Sequence, residues 1–158
     1  MTFDKVGKIL KGMDSLGRQY VLVGVPAAKG PRQDGEPINN ATIAYLMEFG
    51  VPEMNIPARP TIIPGVRACQ AKVAAYLKVA GLAAVSADQA RVDRALNAAG
   101  LTAQASIRNE FLNNQFPPLA ASTIAARLRR GRTGTRPLID TAQFRNSINY
   151  VIRKNKGI

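Results

Sequence analysis

Apolar residues recur along this chain at helical spacing for most of its length, and prolines and glycines mark where that spacing stops. Residues 3–16 place Phe3, Val6, Ile9, Leu10 and Met13 on one helical face with Lys5, Lys8 and Lys11 mostly on the other, and Gly17 ends the helix. Those lysines are a solvated face first and a phosphate contact second. Residues 19–25, QYVLVGV, are β-branched and aromatic between breakers, which predicts a strand. Residues 26–38 hold three prolines and two glycines without periodicity and predict a loop, whose Lys29 and Arg32 are candidates to face DNA or a neighbouring subunit.

The stretch 39–64 is the most distinctive. Asn40 is expected to cap a short helix with Ile43, Leu46 and Met47 inward, and Gly50 to stop it. Pro52, Pro57, Pro60 and Pro64 each lack a backbone donor and push the preceding residue toward extended geometry, so 51–64 is expected to be neither helix nor central strand but a stiff strap. Glu48 and Arg59 lie at opposite ends of the turn, where they either pair across it or are separately solvated.

Val66, Cys69, Val73, Tyr76, Leu77 and Ala80 then predict a helix ended by Gly81, with Cys69 a small core residue on its apolar stripe. Ser86 and Gln89 have capping-box spacing ahead of a second helix lined by Val92, Leu96, Ala99, Ala103, Ile107 and Phe111 out to Asn113. Gly100 inside it implies a kink or a close contact. After Pro117 and Pro118 a third helix is expected from Leu119 to Arg130, with Leu119, Ile124 and Leu128 inward. Its end carries Arg127, Arg129, Arg130 and Arg132, more cations than a helix terminus requires, and is the candidate patch for phosphate or a partner subunit. Residues 131–136 read as a flexible link, Asp140 or Thr141 as a helix cap before Phe144 and Ile148, and 148–152 as a strand pairing with the first strand or with a neighbour's edge. The basic tail 153–158 is expected to fray.

Composition narrows the function classes. A chain of 158 residues is expected to form one domain, with a radius of gyration of roughly 15 Å. There is no histidine and one cysteine, which excludes an internal disulfide, a His/Cys metal site and any imidazole-dependent catalytic triad. The ten acids form no recognisable carboxylate motif, so neither catalysis nor a cofactor is expected. A net charge of +12 and a pI near 10.6 imply an anionic partner or neighbourhood, nucleic acid first. No uninterrupted run of eighteen apolar residues and no signal-peptide core appear, which points to a reducing cytoplasm and no membrane.

The ordered set Asn40-Ala41, Glu48-Phe49-Gly50, Ile56 to Pro60, Pro118-Leu119, Ser122 to Ile124 and Leu138 to Ile148 resembles the small neck or tail-completion proteins of tailed bacteriophages, including the virion morphogenesis proteins of Mu-like phages. The resemblance covers about 20 to 153; Ala142 and Phe144 stand where the family usually has Gly and Leu. It implies an α+β fold with a small antiparallel sheet packed by helices, assembled as a homo-oligomeric ring at the head-to-tail junction of the virion. Connector or adaptor proteins would lie on one side, tail terminator or tube proteins on the other, and DNA in the lumen. A hexamer would carry a formal +72 from six copies of +12. Glu48, Phe49, Gly50, Arg59 and Pro60 would then serve positioning and subunit contact, and Arg59→Ala would impair assembly more than folding. The alternative is a stand-alone basic nucleic-acid-binding protein, although the chain has no helix-turn-helix, OB or RRM signature.

Overall fold

The computed structural model describes residues 3–26, 38–113, 116–138 and 143–155. The fold is α+β, with helices α1 Phe3–Gly17, α2 Asn40–Phe49, α3 Ile62–Val85, α4 Gln89–Asn113, α5 Ala121–Arg129 and α6 Gln143–Ser147. Strands β1 Gln19–Gly24 and β2 Asn149–Lys154 form a two-stranded antiparallel sheet. The described residues cluster into two compact units, and the chain passes between them inside both long helices, at Gly65–Val66 in α3 and at Ser106–Ile107 in α4.

The first unit holds α1, β1, most of α3, the N-terminal part of α4 and β2 from Tyr150 onward. Its core is small-residue and aliphatic: Ala80, Ala83, Ala84, Val92, Ala95 and Leu96, with Leu16, Val21, Val79 and Ile152 packed on them. The α3–α4 connection is capped by Asp88, whose Oδ1 accepts from the Arg91 N–H at 2.9 Å. Ser86 is therefore not the cap; its hydroxyl is spent on the Leu82 carbonyl. Gly81 does not end α3 either, because tertiary packing of Ala83 and Ala84 carries the helix on to Val85. Gly100 is in close contact: a methyl group there would collide with the Tyr150 ring, and the Tyr150 hydroxyl pairs with Asn97 Oδ1 at 2.9 Å.

Two predicted stripes are inward only in part, although Cys69 and Ala80 on α3 are buried as expected. Val6, Leu10 and Met13 on α1 are each at least 50% exposed, while Val66, Tyr76 and Leu77 on α3 are more than a third exposed. Periodicity identifies an apolar face but not what covers it. Of the described helices, α3 alone is long and apolar enough to cross a bilayer, yet Arg67, Lys72 and Lys78 interrupt it with charge. Strand β2 runs through Arg153 and Lys154, and the Asn155 N–H donates to the Arg18 carbonyl, so 153–155 are held at the sheet instead of fraying, and 156–158 lie outside the described residues.

The second unit holds α2, the strap, the first turn of α3, the C-terminal end of α4, α5 and α6. Ile107 and Phe111 from α4 are buried, as are Phe144 and Ile148, and the two phenyl rings meet edge to face at 5.2 Å. Arg108 stitches the same region by donating to the Ile148 carbonyl at 2.8 Å. Helix α5 starts at Ala121, later than expected, and its Leu128 is 56% exposed. Ile148 is fully buried ahead of β2 instead of beginning it.

Candidate functional site

The site is built in the second unit from α2 and the strap. Helix α2 is capped by Asn39, not Asn40: Asn39 Oδ1 accepts from the Thr42 N–H at 2.8 Å while Asn40 is already helical. Gly50 ends the helix by donating its N–H to the Leu46 carbonyl at φ 72°. A side chain at Gly50 would be strained by that dihedral and would also press on the Ala58 amide, so only glycine fits both demands. The chain then makes a 3-10 turn over Pro52–Met54, reverses at Asn55 in the left-handed region, and closes on itself through two backbone bonds between Val51 and Ile56. The Arg59 N–H ties the returning strap to the Met47 carbonyl.

Glu48 and Arg59 do not pair with each other. The Glu48 carboxylate, buried to 8% exposure, accepts from the backbone N–H groups of Thr61 (2.8 Å), Ile62 (2.9 Å) and Ile63 (2.8 Å). These are the leading unsatisfied donors of α3, and the next residue, Pro64, has no N–H to satisfy. A buried negative charge is stabilised there both by three charge-assisted hydrogen bonds and by the positive end of the helix dipole. This also corrects the expectation that 51–64 excludes helix, since proline is tolerated in a first turn whose donors are answered from outside.

Arg59, 6% exposed, turns the other way: its Nε donates to the Pro117 carbonyl at 3.1 Å and its Nη2 to the Pro118 carbonyl at 3.0 Å. A planar guanidinium fork suits two successive carbonyls in extended chain, and burial lowers its pKa below the ordinary value. Arg59 thus pins the segment ahead of α5 to the strap within one subunit. The expected pairing with Glu48 is replaced by this contact. Pro60 is half-buried between the two anchors, and Phe49 is 59% exposed.

The arginine group at the end of α5 is divided. Arg127 turns back, donating to the Gly134 and Arg136 carbonyls at 2.8 and 3.0 Å, so it organises the 131–136 link. The helix terminates through bonds from the Gly131 N–H to Leu128 and from the Arg132 N–H to Arg127. Arg129 and Arg130 are exposed and Arg132 is half-buried. Lys29 and Arg32, and the expected caps Asp140 and Thr141, lie outside the described residues. A cavity of about 600 Å³ opens between α2, the strap and α5, lined by Ile43, Met47, Ile56, Arg59, Leu119 and Phe144.

Sequence reasoning missed Thr61, 1% exposed, and the pairing of Tyr45 with Phe49, whose rings lie 5.0 Å apart on the outer side of α2 with Tyr45 67% exposed. The i, i+4 aromatic spacing is the signal for the second; none marks the first, since its environment is made by Glu48 from another element. Among the described residues no cluster of three Cys, Asp or Glu side chains is placed to hold a metal ion. Compared with known proteins, the chain matches no family model, no curated protein and no solved structure.

Proposed function

We propose that this chain is a structural subunit of the head-to-tail junction of a tailed bacteriophage, forming a ring that joins the connector to the tail around the DNA channel. One observation carries the reading. Glu48, Gly50, Arg59 and Pro118, drawn from separate segments of the family resemblance, belong to one interlocked device in which α2, the strap, the start of α3 and the segment before α5 hold each other in place. A device of buried anchors with rigid proline connections serves positioning, not turnover. The charge of +12 suits a wall facing DNA or acidic neighbours.

The test is the protein content of purified virions. The chain is expected in particles at a small fixed multiple per virion and at the neck by electron microscopy. Its absence from particles overturns the proposal, and tight, salt-dependent binding of duplex DNA by the isolated chain replaces it with the nucleic-acid-binding alternative.

A further inference from the structure

Strand β1 has a partner on one side only: β2 pairs with it, and among the described residues no other element bonds to the backbone of residues 19–24. Its outer edge therefore presents a row of unanswered N–H and C=O groups. Edge strands are ordinarily guarded by charge or proline, and Gln19–Gly24 carries neither. Beside the strand lies an apolar groove of about 520 Å³, lined by Val21, Val23, Val66, Val73, Leu77 and Leu96. Leu96 reaches it from the buried core, whereas Leu77 on α3 is 46% exposed, so the groove opens to solvent. A strand added to the β1 edge would send alternate side chains to the face that holds Val21 and Val23, and so into this groove.

Charge selects the occupant. Helix α3, which walls the groove, carries exposed Arg67, Lys72 and Lys78 and no acid, while β1 has no charge of its own. The strands that another copy of this chain could offer are β1, uncharged, and β2, which holds Arg153 and Lys154 and no acid. Neither complements a basic wall, and β2 would bring like charges together. We infer that the β1 edge takes up an extended segment of a different protein, about six residues long to match β1, apolar at alternate positions and flanked by acids. Main-chain hydrogen bonds would give the register, the groove the apolar preference, and α3 the acidic one. This contact stands or falls independently of membership in a virion.

Fluorescence polarisation tests it, with the full chain titrated into a labelled, end-blocked peptide of alternating valine and threonine carrying glutamates at both ends. Saturable binding is expected, weakened about tenfold or more when lysines replace the glutamates or when Leu77→Glu charges the groove. N-methylation of alternate peptide amides gives the decisive pair: in one register it should abolish binding, because those amides face β1, and in the other it should leave binding unchanged. Amide hydrogen exchange at residues 19–24 should slow in the complex. The peptide changes leave the chain's own fold untouched, and Leu77 is exposed, so a loss of binding does not report unfolding. No saturable binding up to about 1 mM peptide, equal affinity for the glutamate and lysine peptides, or indifference to which amides are methylated overturns the inference. So does dissociation of a wild-type oligomer by the peptide, which would assign the edge to a second copy.

Discussion

Glu48 and Pro64 divide the start of α3 between them: the carboxylate answers the N–H groups of residues 61 to 63, and the proline removes the next donor altogether. Replacing Glu48 with Ala leaves three donors without an acceptor in a site that water scarcely reaches. The expected cost is about 3–5 kcal/mol in urea unfolding, while Glu48→Gln, which keeps one carbonyl oxygen, should cost about 1–3 kcal/mol. Equal stability of the two variants would show that charge and acceptor count do not matter there.

Arg59 should act on the folded subunit. Arg59→Lys loses the planar fork that spans two carbonyls and is expected to lower stability by about 1–3 kcal/mol, with Arg59→Ala lower still. Limited proteolysis should find new cleavage around residues 116–120 in both variants, because those residues lose their tie to the strap. Wild-type cleavage patterns would disprove the clamp.

Gly100→Ala offers a sign reversal. On helix propensity alone it should stabilise α4 by up to about 1 kcal/mol, but the added methyl meets the Tyr150 ring, and overpacking of this kind costs about 1–3 kcal/mol. In a Tyr150→Ala background the same change should become stabilising. Calorimetric melts of the four proteins in this cycle decide the matter.

Cys69 is 4% exposed and its thiol bonds to the Val66 carbonyl within its own helix. A thiol reagent should therefore modify it slowly in buffer and completely in denaturant. Rapid labelling of the folded chain would mean that α3 opens locally there.

Legibility followed the distance over which each feature is decided. The stripe Val92, Leu96, Ala99, Ala103, Ile107 and Phe111 is buried throughout, because six residues at one period on a single helix define a face without outside help. The fold class and the first strand were legible for the same local reasons. The start of α3 was not, since its cap comes from Glu48, thirteen to fifteen residues earlier, and local proline rules argue the other way. Arg59 finds its acceptors 58 and 59 residues downstream, and no spacing rule reaches that far. The apolar faces of α1 and α3 were legible as faces, but periodicity does not distinguish positions that pack within the subunit from those left outside.

Strand β1 ends at Gly24 and its partner β2 begins at Asn149, so the sheet joins the two ends of the described chain. A pairing separated by so much sequence closes late, since the loop between must be ordered before the ladder forms. During synthesis the first unit cannot be completed until residue 154 has left the ribosome, and until then β1, rich in valine and free of charge, waits without its partner. Chains interrupted before Asn149 are therefore expected to be the aggregating ones, which makes emergence of β2 the checkpoint for a sound subunit.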